Sequence, residues 1–181
     1  MKSYPGGLEG LIVVEPKVFR DDRGFFLEPY NAPRYKAAGI DVEFVQDNHS
    51  VSSYGVLRGL HFQTSPGQAK LLRCTRGRIW DVAVDIRPES ATFGKWWGLE
   101  LNDELHNQLF IPVGFAHGFC VLSETAEVMY KCSNVYDPVT ESGVAWNDPD
   151  IGVAWPVKDP IISNRDMNNQ SFAQFKAKIA K

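Results

Sequence analysis

Short apolar runs dominate the chain, many alternating with polar residues at period two and closed by Gly, Pro or Asp. This is the pattern of half-buried β-strands. In Arg78–Ile86 the residues Trp80, Val82, Val84 and Ile86 share one face, and Ile79, Asp81, Ala83 and Asp85 share the other. Comparable runs predict strands at 10–15, 42–52, 68–75, 107–111, 115–122 and 126–133. Helical periodicity is confined to a short segment near 31–38 and a last one near 170–180, with Phe172, Phe175 and Ile179 on one side. Closely spaced strands joined by turns predict a mainly β fold, an antiparallel sandwich or barrel of jelly-roll type with short peripheral helices. No linker, low-complexity segment or convincing repeat divides the 181 residues, so one domain over 1–181 is expected.

Composition narrows the function classes. A net charge of -3 argues against a general nucleic-acid or anionic-membrane binder, although it leaves room for a local basic pocket. No run approaches the roughly 18 apolar residues of a membrane span, and the N-terminal residues carry no apolar signal core. Cys74, Cys120 and Cys132 are odd in number and lack CxxC spacing, so neither a disulfide framework nor a structural zinc is expected. A reducing cytoplasm is the expected location.

The candidate chemistry begins with two histidines that follow turns. In Ile111-Pro112-Val113-Gly114-Phe115-Ala116-His117 the proline fixes φ and the glycine supplies a tight turn, which aims His117 from the returning strand. Gly55-Val56-Leu57-Arg58-Gly59-Leu60-His61 delivers a second histidine into another strand-like run. The two spacings resemble the motifs of the cupin superfamily, which implies a cupin-type jelly-roll β-barrel. Cupins usually hold a metal, yet Gln63 stands where a second histidine would ligate, and no Glu occupies the third position. Two imidazoles are too few for a tight divalent site, so no metal is expected.

The segments Asp21–Glu28, Gln46–Ser50, Leu57–Gln63, Lys70–Arg73, Asp81–Arg87, Pro112–Phe119 and Trp146–Pro149 resemble, in that order, the dTDP-4-dehydrorhamnose 3,5-epimerase family. The resemblance runs from about residue 8 to about 166 and implies a metal-free jelly roll. The implied substrate is a nucleotide-linked 6-deoxy-4-ketohexose, whose C4 carbonyl acidifies the hydrogens on C3 and C5. Such a site needs a base on one face of the sugar, an acid on the other and a positive donor at the carbonyl oxygen. It requires no cofactor.

His61 is the candidate base, since a neutral imidazole titrates near working pH. The resemblance gives Asp166 as its orienting carboxylate, where the bland alternative is a capping Asp before the last helix. Lys70 shares a side with Leu72 and Cys74, an apolar face where a lysine is costly unless used. The resemblance makes it the enolate stabiliser, against a rim lysine that snorkels to solvent. Tyr130 matches the proton donor, with Lys70 as the expected cationic helper; a core tyrosine is the competing reading. His117 resembles a substrate-contacting histidine, and Asp81 would form a second His–Asp pair with it. Arg23 and Arg58 occupy the diphosphate positions. Gln46, Asn48 and Glu28 match polar contacts, Tyr136 the aromatic that stacks on thymine, and Phe19 and Phe26 the closing wall. Glu141 and Arg165 fall at further ligand positions, Arg165 where a lysine is common. Family members are homodimers whose N-terminal strands cross to the partner, which would bring Arg23, Phe26 and Glu28 to the neighbour's site. Two alternatives stand beside the 3,5-epimerase: an enzyme that inverts only one carbon, and a catalytically silent sugar-nucleotide-binding cupin.

Overall fold

The computed structural model describes residues 1–179, in which the strands pair into two sheets and one separate hairpin. The first sheet runs β1 (Lys2–Pro5), β2 (Ile12–Glu15), β10 (Gln108–Ile111), β7 (Lys70–Arg76), β12 (Thr125–Cys132) and β5 (Gln46–Ser53). The second runs β13 (Glu141–Gly143), β6 (Val56–Gln63), β11 (Phe115–Val121), β8 (Arg78–Asp85) and β9 (Trp96–Asn102); β14 (Ile161–Ile162) adds in parallel to β6. The hairpin of β3 (Val18–Asp21) and β4 (Gly24–Leu27) forms a two-stranded sheet of its own. Three short helices are peripheral: α1 (Ala32–Ala37), α2 (Asn164–Met167) and α3 (Phe172–Ile179). This is the expected jelly roll, built as two packed sheets. Ala180, at the end of the expected last helix, lies outside the described residues.

Three apolar layers explain the alternation. Val13, Leu72, Cys74, Val128, Leu109, Ile79, Ala83, Phe115 and Phe119 from both sheets meet in the central layer. Behind the second sheet, Leu60, Val82, Val84 and Ile86 pack on Phe172 and Phe175 of α3. Behind the first, Val14, Leu71 and Phe110 pack on Tyr35 of α1, whose start is capped by Asn31 accepting from the Arg34 N–H. Strand β8 is therefore buried on both faces, with only its first and third residues, Arg78 and Trp80, reached by solvent. The alternation at 42–45 misled the sequence reading. Val42 and Phe44 do pack against the α1 layer, but the strand begins only at Gln46. The four-residue strand β1 and the Trp-rich β9 were not predicted, whereas β3 and β4 are the two strand-like runs expected on either side of the charged Arg20–Arg23 turn.

The turn after β8 is held by a buried carboxylate. Asp85, fully buried, accepts from Ser90 Oγ (2.6 Å), Thr92 Oγ1 (2.6 Å), and Arg87 Nη2 (2.7 Å) and Nε (2.9 Å). Burial works to raise its pKa, but the donors from Arg87, Ser90 and Thr92 outweigh it and hold the carboxyl well below the usual range. Arg87 in turn stacks on Phe115 and packs under Gly114, so this cluster supports the turn that leads into β11. Asp85→Asn is expected to cost about 1–3 kcal/mol of stability at neutral pH. A depressed folded pKa means that the contribution is complete above about pH 4 and is lost as pH falls further. Urea titrations of wild type and variant should thus show a gap that narrows between pH 7 and pH 3. An unchanged gap would show that the charge is not what holds the turn.

Candidate active site

The two histidines are direct cross-strand partners, His61 on β6 facing His117 on β11. The pairing then slips by one residue, because Gly59 and Leu60 of β6 together oppose Gly118 of β11. Such a bulge switches the side on which later residues project. Val56 and Arg58 lie on the inner side before it and His61 after it, so Arg58 and His61 line the same cavity despite their odd spacing. Leu60 and Phe62 turn outward to α3. The slip needs two glycines: a Cβ on Gly59 would lie 2.6 Å from the Gly118 Cα, and one on Gly118 would lie 2.7 Å from the Arg58 carbonyl oxygen. Gly59 also holds φ +138°, which favours glycine. At the far end of β11 the expected Pro112-x-Gly114 turn is present, with Gly114 at φ +94°.

The cavity has a volume of about 650 Å³ and lies between the sheets. The second sheet contributes Arg58, His61 and His117; the first contributes Gln46, Asn48, Lys70 and Tyr130; Tyr136, Glu141, Arg165 and Asp166 close one side. Asp166, buried on α2, accepts from His61 Nε2 at 2.6 Å through one oxygen and from the Gly59 N–H at 3.2 Å through the other. Burial pushes the Asp166 pKa up, but the His61 and Gly59 bonds hold the carboxyl below its ordinary value. An ionised carboxylate only accepts, so Nε2 of His61 carries the proton and Nδ1 is left as the basic nitrogen. The bulge glycine thus orients the same carboxylate that orients the histidine.

His117 forms the second pair, Nε2 to Asp81 Oδ2 at 2.8 Å, with both residues buried. Burial lowers the His117 pKa; Asp81 opposes this, while Lys70 and His61 lower it further, so the ring is held neutral. Lys70, first residue of β7, turns into the cavity rather than out to solvent. Burial lowers its pKa as well, partly offset by Cys132, Asp81 and Glu141. Tyr130 is pushed up by burial and by Cys132, and Arg58 and an Asn48 hydrogen bond pull it back. Its cationic helper is therefore Arg58, where the sequence reading looked to Lys70. Gln63, at the cupin ligand position, donates its amide to Thr140 Oγ1.

The expected nucleotide residues divide into two groups. Gln46, Asn48, Arg58, Tyr136, Glu141 and Arg165 line the cavity with the histidines. Phe19, Arg23, Phe26 and Glu28 do not: they sit on or beside the β3–β4 hairpin, with Arg23 paired to Asp21 and Glu28 to Arg34. Ser50 and Ser163 also line the cavity and were missed. Ser50 was findable, since it follows Gln46 and Asn48 on the same face of β5. Ser163 gave no signal, as it caps α2 by accepting from the Asp166 N–H.

The model of the family described as dTDP-4-dehydrorhamnose 3,5-epimerase matches residues 6–174. The chain belongs to that family. It is 54% identical over 164 residues to the dTDP-4-dehydrorhamnose 3,5-epimerase of Shigella flexneri, covering 90% of this chain and 91% of that one. A Streptomyces niveus relative named dTDP-4-dehydrorhamnose 3-epimerase is 41% identical, covering 93% of this chain and 82% of its own. The crystal structure of dTDP-6-deoxy-D-glucose-3,5-epimerase from Legionella pneumophila in complex with dTDP-4-keto-L-rhamnose superposes with a TM-score of 0.94. It is 42% identical and covers 98% of this chain and 96% of that one. The epimerase-family scaffold thus accounts for the cupin-like turns without a cupin's ligand set.

The slip predicts a sharp sensitivity. Gly59→Ala must move backbone and adopt a strained φ, at a cost of about 1–3 kcal/mol or more. Denaturant melts should show this loss together with loss of turnover. Full activity at wild-type stability would mean that the close approach does not set the site.

Proposed function

We propose that the chain epimerises C3 and C5 of dTDP-4-dehydro-6-deoxy-D-glucose to give dTDP-4-dehydro-L-rhamnose. The observation that carries this reading is the division of acid and base between the sheets. His61 projects from the second sheet and Tyr130 from the first, so a sugar ring lying between them meets a base on one face and a phenol on the other. His61 Nδ1 takes the proton from C5 or C3, with Asp166 stabilising the imidazolium that forms. The electron pair moves onto the C4 oxygen, where Lys70 donates to the enolate; a donor of this kind is worth ~10²–10³-fold in rate. Tyr130 then returns a proton to the opposite face of the carbon, which inverts it. His117, fixed by Asp81, lines the same wall, and its neutral ring presents Nδ1 as an acceptor for the sugar hydroxyls. Chemistry next to a ketone needs no other group.

The nucleotide reading puts the diphosphate at Arg58, with Arg165 at a further ligand position beside it, and the thymine against Tyr136, with Gln46 and Asn48 as polar contacts. The remaining family positions lie on the β3–β4 hairpin, whose Phe19, Phe25 and Phe26 are 51%, 55% and 69% exposed. Exposure of that size on adjoining aromatics supports a homodimer in which the hairpin crosses to the partner, so that Arg23, Glu28, Phe19 and Phe26 complete the neighbour's site. Three free, buried cysteines support a cytoplasmic location.

Incubation with dTDP-4-keto-6-deoxyglucose in heavy water should place deuterium at both C3 and C5, read by NMR. Deuterium at C3 alone would favour the activity named for the Streptomyces niveus relative, and deuterium at neither would leave a sugar-nucleotide-binding protein without this chemistry. His61→Ala should abolish exchange at both carbons. Tyr130→Phe should impair net inversion more than exchange, and equal losses would remove it from the role of acid. The crossing hairpin has its own test in subunit mixing. Arg23→Ala and His61→Ala chains, each of low activity, should regain about one quarter of wild-type rate when refolded together, because half the dimers then hold one intact site. No recovery would place Arg23 in its own chain's site or in none.

A further inference from the structure

The carboxylate that orients the base sits on an element with almost no anchor of its own. Helix α2 has four residues, of which only Asp166 is buried; Met167 is 58% exposed. A single helical turn is not stable alone, so its placement depends on tethers. One is the parallel pairing of Ile161 and Ile162 with Val56 and Leu57. A second is the Ser163 cap, and a third is Asp166 itself on His61 and Gly59. A fourth lies just past the helix, where Gln170 forms a β-bridge with Val144 and donates to the Gly143 carbonyl. The fifth is an ion pair of 2.5 Å between Arg165 Nη2 and Glu141 Oε1.

Glu141 has no oxygen to spare. Its Oε2 accepts from the Tyr136 hydroxyl at 2.7 Å. The Tyr136 N–H donates to Gln46 Oε1 at 2.8 Å, and Gln46 Nε2 donates to Asn48 Oδ1 at 3.0 Å. Asn48 is the cross-strand partner of Tyr130. A chain of contacts therefore runs from Asn48, beside Tyr130, through both ends of Tyr136 to the helix that carries the base's carboxylate. Glu141 is the link next to the helix, and it belongs to β13, which is paired to β6 beside His61. A ligand that touched Tyr136 or Arg165 would pull on the same carboxylate from either side.

We propose that Glu141 is a positioning residue that ties α2 to the Tyr136 wall, so that seating the nucleotide steadies the His61–Asp166 pair. This deepens the epimerase reading and rests on it for its kinetic arm. The guanidinium of Arg165 suits the task, because a planar fork can hold Glu141 with one nitrogen and keep others for a phosphate oxygen. Glu141→Gln is close to isosteric and removes the charge that grips Arg165. In the ligand-free variant, the NMR resonance of the His61 Nε2 proton should shift or broaden. With the keto-sugar substrate, kcat should fall ~10-fold, as a misaligned base does, while the Kd of dTDP by calorimetry changes less than about threefold. Arg165→Gln should lower kcat at least as much, and adding Glu141→Gln to it should lower kcat little further, because the link is already gone.

An unmoved His61 resonance would overturn the inference. So would additive losses, or an unchanged kcat with dTDP binding weakened about tenfold, which would make Glu141 a nucleotide contact only. The resonance arm does not need turnover. Wild-type protein that fails to exchange deuterium would remove the epimerase reading and leave the tether to be judged on that resonance alone.

Discussion

The site depends on one place where two backbones come closer than side chains allow. Gly59 and Gly118 meet at the slip between β6 and β11, and neither has room for a Cβ. The extra residue does three things at once. It brings Arg58 and His61 to the same side of the sheet, which regular alternation forbids. It sets His61 opposite His117. It also turns the Gly59 N–H toward Asp166, so the strand distortion that aims the base also holds its carboxylate. A bulge of this kind is a positioning device, and its glycines are the residues that permit it.

The rest of the cavity follows from packing two sheets around a core that is apolar over most of its area and polar at one end. The central layer of Val, Leu, Ile and Phe fixes the sheet separation. Where that layer stops, inward positions carry Asp81, His117, His61, Lys70 and Tyr130 instead. Such groups are costly to bury singly and become tolerable as a set of mutual partners. Their electrostatics are linked. Lys70 and His61 help keep His117 neutral, Asp81 and Glu141 help Lys70 keep its charge, and Arg58 draws Tyr130 down against its burial. Removing any one charge would shift the others.

Much of this was legible from residue order, and the gaps have physical reasons. Period-two alternation located β7, β8, β10, β11 and β12, because each has one face in the central layer. The Pro112–Gly114 turn was legible because only certain residues make it. The Asp81–His117 pair was anticipated from two aspartates on the inward face of β8. Alternation failed at 42–45, where apolar side chains cover α1 from irregular backbone, and in short strands such as β1 and β13, too brief to show a period. The proximity of Arg58 and His61 to one another within the cavity could not be read at all, since counting along a regular strand separates them. Asp166 was reached only through family resemblance, because no local pattern reports that a four-residue helix over a hundred positions away will fold back onto β6.

The same scaffold logic explains how a metal-site architecture serves proton transfer. In a cupin the turn-borne histidines converge so that several ring nitrogens share one ion. Here each ring is turned to its own aspartate, His61 to Asp166 and His117 to Asp81, and Gln63 spends its amide on Thr140. A carboxylate at one imidazole nitrogen fixes the tautomer and leaves the lone pair of the other free, which is what a base needs and what a shared ion would occupy. On the proposed mechanism the His61 ring is then free to take a proton and give it up. Asp81 came from within the sheet, on the strand beside His117. Asp166 had to be imported from outside it on α2, and its support by Gly59, Ser163 and the Arg165–Glu141 pair follows from that origin. The in-sheet pair is buried between strands; the imported pair is held by contacts from several elements, and it is the one that carries the proposed base.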